Sequence, residues 1–350
     1  MGRVLAGLSR MKIIVTGGAG FIGSALVRHL VGVRGDQVLT IDKLTYAGNR
    51  ANLAAVAGCA SHRLEVVDIC DAERLRALLF DFGPDALMHL AAESHVDRSI
   101  DGPANFIRTN VLGTCALLEA VREYNAGRTG ERACRFLHVS TDEVYGALGA
   151  EGAFSESSPY RPNSPYSASK AASDHLVRAW RATYGLPAML TNCSNNYGPR
   201  QHAEKLIPVI ILAALRGAPV PLYGDGQQVR DWLHVDDHVR GLVAVLEGGA
   251  LGRTYNIGGD CEKTNLEVAT EVLTAVADQT DADPGSLLGL IEFVKDRPGH
   301  DRRYAIDTRR IRGELGWRPR TGFADGIRQT VAWYLDHKDW WPAANLRGAG

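Results

Sequence analysis

The sequence predicts an α/β fold: a doubly wound parallel sheet with helices on both faces, followed by a smaller, discontinuous C-terminal α/β unit. Three observations carry this expectation. Short apolar runs alternate with helix-patterned stretches from Met11 to about Asn195. A glycine-rich turn joins the first apolar run to the first helix. Beyond Asn195 the alternation breaks, and Pro208, Pro219, Pro221, Gly224 and Gly226 punctuate the chain as interruptions of regular structure. Strands that alternate with helices must run parallel, joined by right-handed crossovers that cover both faces of the sheet.

In order, Met11 to Val15 is read as the first strand and Phe21 to Val31 as the first helix. Gln37 to Ile41 and Leu64 to Val67 supply further strands, and Arg74 to Phe80 a helix that ends before the Gly83-Pro84 turn. Ala86 to Leu90 reads as a buried strand, Asn110 to Tyr124 as a helix, and Cys134 to Val139 as a strand. Ser167 to Tyr184 is helical, and Ala188 to Thr191 extended. Later, Asp236 to Leu246 has helical character and Thr254 to Ile257 is extended, whereas the remainder is mixed. The expected organisation is a dinucleotide-binding unit over 11–195 plus about 235–258. A substrate-binding unit would use about 196–234 and 259–340, with 1–10 as a loose extension.

Composition excludes several classes. The 350 residues carry a net charge of −1, so no basic field exists to hold nucleic acid or an anionic membrane. An anionic substrate must instead be gripped by a few placed Arg and Lys residues. No apolar run is long enough to span a bilayer. The six cysteines are widely spaced without a CxxC pair, which suits a reducing, cytoplasmic compartment and no zinc site. His234 and His238 lie four apart around Asp236 and Asp237, a spacing open to a metal, but helix capping and packing is the favoured reading.

Thr16-Gly17-Gly18-Ala19-Gly20-Phe21-Ile22-Gly23 spaces Gly17, Gly20 and Gly23 as G-x-x-G-x-x-G, a Rossmann-type fingerprint. Glycine permits the tight turn and lets backbone N–H groups approach a pyrophosphate at the helix N-terminus. Asp42 ends the second strand, where an acid accepts from ribose hydroxyls and repels a 2′-phosphate, favouring NAD over NADP. Asp68, after the third strand, either reaches the adenine or caps a helix. Tyr166 and Lys170 sit four apart on one helix, hence on one face, where the ammonium is expected to lower the phenol's pKa. Ser140-Thr141-Asp142-Glu143 places two adjacent acids at the C-terminal end of a strand, where such sheets hold their sites.

These motifs together resemble the extended short-chain dehydrogenase/reductases, and within them the nucleotide-sugar 4,6-dehydratases. The likeness runs from Met11 to about Leu335 and includes the segments 42–49, 90–99, 191–199, 204–208, 229–232 and 296–301. It implies Tyr166 and Lys170 as the oxidising pair, Thr141 on the C4 oxygen, Asp142 as general acid and Glu143 as general base. To NAD it assigns Gly17, Gly20, Phe21, Ile22, Gly23, Asp42, Lys43, Leu44, Thr45, Asp68, Ile69, Leu90, Ala91, Ala92, Ser94, Thr109, Tyr166, Lys170 and Asn196. To the substrate it assigns Ser94, Thr141, Asn195, Lys205, Leu206, Pro221, Leu222, Tyr223, Arg230, Asn265, Asp296, Arg297 and His300. Singly, each of these residues is as open to a structural role as to contact. Arg200 to Ala203 departs from the family pattern, which leaves the local substrate contacts open.

The implied reaction takes dTDP-glucose to a 4-keto-6-deoxy sugar, with NAD regenerated in each cycle. The competing readings are a dehydratase on a UDP-, CDP- or GDP-hexose, a 4-epimerase, or a non-catalytic NAD-binding protein. The resemblance also implies a homodimer formed through the helices at 110–124 and 167–184. The apolar stripe Val111, Cys115, Leu118 would serve that contact, or would face the sheet instead.

Overall fold

The computed structural model describes residues 10–340; most of the expected N-terminal extension and the tail from 341 lie outside the described residues. Strands β1 (Lys12–Thr16), β2 (Gln37–Asp42) and β3 (His62–Val66) form the first half of a seven-stranded sheet, with α1 (Phe21–His29) after β1 and α2 (Ala72–Phe82) after β3. The other half begins with β4 (Ala86–His89) and the short helices α3 (Val96–Asp101) and α4 (Pro103–Phe106). It continues with α5 (Thr114–Tyr124), β5 (Arg135–Thr141), α6 (Pro165–Tyr184) and β6 (Ala188–Cys193). All strands of this sheet are parallel, in the order β10-β6-β5-β4-β1-β2-β3, where β10 is Thr254–Ile257. The order reverses between β1 and β4, and a doubly wound sheet opens its ligand crevice at such a point. Ile13, Val15, Met88 and Leu137 pack under one face, and Ile14, Leu39, Leu87 and Phe136 under the other. Burial on both faces explains why these strands are near-continuous apolar runs.

Beyond β6 the chain builds two small sheets. One is β11-β9-β7, from β7 (Asn195–Tyr197), β9 (Val229–His234) and β11 (Glu262–Thr264); the other pairs β8 (Val220–Tyr223) with β12 (Ile291–Val294). Helices α7 (Leu206–Arg216), α9 (Asn265–Thr280), α10 (Pro284–Leu288) and α12 (Phe323–Asp336) surround a separate core that includes Ile210, Val272, Leu273 and Tyr334. Helix α8 (Val235–Gly248) returns the chain to the large sheet, where it joins the core of α1, and α11 (Arg309–Leu315) follows the same side.

Two expectations for this stretch need correction. Pro208 does not interrupt structure; it lies in the first turn of α7, where a missing N–H costs nothing. Pro221 lies inside β8, which has a single partner strand and can therefore spare a ladder donor. The apolar stripe that runs into α5 also splits. Leu118 is fully buried beneath the sheet, whereas Val111 and Cys115 are half-buried beside exposed Ile107 and Leu112. No described helix is long and apolar enough to cross a membrane.

Candidate active site

The glycine-rich turn is shaped by what it touches. Gly17 adopts φ 71°, and a Cβ there would lie 2.6 Å from the Ala91 nitrogen at the exit of β4. A Cβ on Gly23 would sit 2.1 Å from the Gly17 carbonyl oxygen, so helix and turn meet without side chains between them. Asp42 closes the turn from β2: one carboxylate oxygen accepts from the Ala19 N–H at 3.0 Å, the other from Leu44 N–H at 2.8 Å. Burial raises the Asp42 pKa against these bonds.

A cavity of about 300 Å³ runs from this turn to the ends of β5 and β6. It gathers Gly17, Gly20, Phe21, Ile22, Gly23, Asp42, Lys43, Thr45, Ile69, Leu90, Ala91, Ala92, Ser94 and Thr109 at one end. At the other stand Thr141, Asp142, Glu143, Tyr166, Lys170, Asn195, Asn196 and Lys205. Leu44 and Asp68 are not on its wall. Asp68 accepts from Cys70 N–H and stands 3.9 Å from the Lys43 ammonium; the helix cap that was its alternative role belongs to Asp71.

At the reacting end, β5 runs into a single 3-10 turn over Asp142–Tyr145. Thr141 Oγ1 accepts from the Glu143 N–H and donates to Asp142 Oδ1, both at 3.3 Å. Asp142 Oδ2 is buried without a hydrogen-bond partner. Burial, then the charges of Glu143 and Asp231, push Asp142 well above the carboxyl range. Burial raises Glu143 too, but the cations Arg297, Arg230 and Lys205 pull the other way. Both carboxyls are thus raised, Asp142 the more strongly, and only Glu143 has three cations opposing the rise.

Tyr166 and Lys170 stand near the start of α6, which Pro165 opens and a reciprocal Ser164–Ser167 cap holds. The expected lowering of the tyrosine pKa is not what the structure gives. Burial and the Glu143 charge hold the phenol well above its ordinary value, and the Lys170 ammonium donates instead to the Val139 carbonyl at 2.9 Å. Thr141, hydrogen-bonded to the phenol, opposes the rise.

The remaining substrate-side candidates lie apart from this cavity. Arg230 is buried and donates to the Asp301 carbonyl at 3.0 Å. Tyr223 and Arg297 both donate to Asp97, at 3.1 and 3.0 Å, and His300 pairs with Asp296 at 2.6 Å. Lys205, which does line the cavity, donates to the Ser94 carbonyl at 3.1 Å and so ties the start of α7 to the loop after β4. Leu222, 1 % exposed, turns into the smaller core, and Leu206 packs against that core while partly buried. Pro221 precedes Leu222 in β8, and Asn265 opens α9 with its N–H on the Gln228 carbonyl.

Sequence reasoning missed Asp97, which joins two of its candidates, and Glu93, Gln201, His202 and Glu204 on the cavity wall. Asp97 lay within a segment already singled out, but its partner Arg297 is 200 residues away. His234 caps α8 by accepting from the Asp236 N–H, and His238 meets Asn196 at 2.9 Å. Among the described residues no cluster of three potential ligands is placed to hold a metal.

The family model for GDP-mannose 4,6 dehydratase matches residues 14–330. The dTDP-glucose 4,6-dehydratase of Neisseria meningitidis serogroup B is 55% identical over 94% of this chain and 95% of its own length. The Haemophilus influenzae enzyme of that name is 54% identical over 93% and 98%. Among solved structures, the dTDP-glucose 4,6-dehydratase DesIV of Streptomyces venezuelae, which holds NAD, superposes with a TM-score of 0.87. It is 49% identical over 95% of this chain and 99% of its own. A UDP-glucose 4-epimerase from Thermus thermophilus shares the fold at a TM-score of 0.81 but only 32% identity, over 93% and 99% of the two chains. With a Rossmann-type crevice, an adjacent acid pair at the end of β5 and this degree of identity along nearly its whole length, the chain belongs to the dTDP-glucose 4,6-dehydratase family.

Proposed function

We propose that the chain is an NAD-dependent hydro-lyase that converts dTDP-D-glucose to dTDP-4-keto-6-deoxy-D-glucose and water. The observation that carries the reading is the buried Asp142–Glu143 pair beside Tyr166 and Lys170. The crevice fits the cofactor: a Cβ at Gly17 would close it, and Asp42 stands where ribose hydroxyls would donate to a carboxylate. When bound, NAD accepts a hydride from C4 of the sugar and returns it to C6.

The side chains divide the proton work. Tyr166, as the phenolate, takes the C4 hydroxyl proton, with Thr141 bonded to the same oxygen. In that role the Lys170 ammonium on the same helix face must offset the burial that raises the phenol's pKa. Once C4 is a ketone the C5 hydrogen is acidic, and Glu143 removes it, giving a proton back to C5 when hydride returns to C6. Asp142, held protonated by burial and by its neighbour, donates to the departing C6 hydroxyl. Lys205, Arg230 and Arg297 supply the positive charge that a diphosphate needs. An epimerase has no use for this proton donor and acceptor.

In this reading residues 11–195 with about 235–258 hold the cofactor, and about 196–234 with 259–340 hold the nucleotide sugar. Two copies pair through the outer faces of α6 and of α5 with the turns that lead into it, where exposed Ile107, Leu112 and Tyr184 support a contact. The six free thiols support a cytoplasmic setting. The test is incubation with dTDP-glucose and, separately, UDP-glucose and GDP-mannose. Loss of one water from dTDP-glucose alone, without net NADH, is expected. An unchanged mass with every substrate would overturn the reading.

A further inference from the structure

Behind Tyr166 and Lys170, away from the cavity, lies a buried polar cluster that the reaction above does not use. Asp174 stands one helical turn beyond Lys170 on α6 and is fully buried. His138 Nε2, from β5, lies 3.2 Å from Asp174 Oδ1, and this imidazole is also fully buried. Tyr160 donates to Asp174 Oδ2 at 2.8 Å, itself receiving Arg178 at 2.7 Å, and Asn192 of β6 approaches the same oxygen at 3.4 Å. Two donors therefore meet on Oδ2, and the His138 ring lies against Oδ1 without a well-aligned hydrogen bond.

We infer that Asp174, oriented by His138, is a positioning residue for C4 oxidation: its buried negative charge keeps Lys170 an ammonium beside Tyr166. The inference rests on the assignment of that pair to the oxidation step.

The charge balance supports it. Burial works against the Lys170 ammonium and lowers its pKa, and Asp174 is the main group that opposes the fall. The other titratable groups around Lys170 are Tyr166 on its own helix, Cys193 on β6, His138 on β5 and His89 on β4. Burial pushes the Cys193 thiol up to about 12 and His138 down to about 4, and it lowers His89 as well, so none of them supplies a charge near neutrality. Burial would neutralise Asp174 too, yet His138, Lys170 and Ser140 hold it below its ordinary value. Lys170 and Asp174 are both buried, one turn apart on the same face of α6, so the carboxylate acts on the ammonium through a low-dielectric interior. Removing it leaves that buried charge uncompensated.

The test compares Asp174→Asn and Asp174→Glu with the parent enzyme across pH. In Asp174→Asn, kcat falls about tenfold or more, KM for dTDP-glucose holds, and the alkaline limb of the profile moves to lower pH as Lys170 loses its proton sooner. Asp174→Glu restores the limb. A lowered Tm with an unmoved profile would make Asp174 merely structural and overturn the inference. Should Asp174→Asn fail to fold, the double variant Lys170→Met/Asp174→Asn decides. It is expected to fold, because the charge that needed the carboxylate has gone; its failure to do so also overturns the inference. Folding is read by Tm without substrate, so this arm stands even if dTDP-glucose proves to be the wrong substrate.

Discussion

The two ends of the cavity are built from different materials. At the dinucleotide end, geometry is set by backbone: Gly17 against Ala91, Gly23 against Gly17, and Asp42 satisfied by two main-chain N–H groups. Beyond the reacting end, off the cavity wall, it is set by polar side chains, such as Arg297 and Tyr223 on Asp97 and Arg230 on the Asp301 carbonyl. A backbone cradle tolerates no side-chain drift and suits a cofactor common to many reactions. Side-chain clamps can be re-aimed by single substitutions, which suits the part that tells one sugar nucleotide from another.

The largest effect should come where the two ends meet. Glu143→Gln should cut turnover by about 10²–10⁴-fold. Because it removes the base and spares Tyr166, NADH absorbance should build up during the first turnover instead of vanishing. If this variant loses oxidation as well, the ends are not separable. Next, Gly17→Ala should strain a φ of 71° and push a methyl into Ala91. The expected cost is about 1–3 kcal/mol, with protein purified largely free of NAD, read from its absorbance spectrum. Arg297→Lys keeps the charge but loses the planar fork; KM for dTDP-glucose should rise about tenfold, or about 1.4 kcal/mol, with kcat little changed.

On stability, Asp142 gives a smaller effect of opposite sign. Its folded pKa is raised, so its contribution to stability is complete below the ordinary carboxyl pKa and is lost as pH rises toward the folded value. Asp142→Asn should therefore be inactive yet more stable at neutral pH, by about 1–2 kcal/mol, with the gap closing in acid. Thermal melts at several pH values check this; a gap that widens in acid contradicts it. Smallest of all, the Arg302–Asp225 pair at 2.8 Å is exposed and screened by water, so Arg302→Ala should leave both Tm and KM unmoved. A clear change in KM would extend the side-chain clamp out to the surface.

The sheet was legible because all its strands but the edge strand β3 are buried on both faces and appear as apolar runs. Their succession along the chain could therefore be read with ends shifted by a residue or two. The dinucleotide crevice was legible because a backbone device needs glycine at fixed spacing. The smaller half was less so. Helix α9 announces itself by Thr264 and Glu267, which cap each other, but a glycine-rich approach masked the pattern. The Tyr166 pKa could not be read from Tyr-x-x-x-Lys, because spacing places the two side chains on one face without saying that Val139 takes the ammonium. Asp97 was hidden for another reason: an acid in the first turn of a short helix has no signature of its own when its partners arrive from residues 223 and 297.

Strand β10 enters the large sheet at residue 254, after the chain has already made three strands of the smaller sheets, and the chain then leaves again. The two halves are thus sewn together by several crossings instead of one linker. Neither half can be excised, swapped or fused as a cassette without cutting a strand of the other. Diversification of this architecture toward new nucleotide sugars must therefore proceed by substitution in place, and gene shuffling at a single breakpoint is closed to it. Chimeras between relatives will need at least two matched junctions, one on each side of β10.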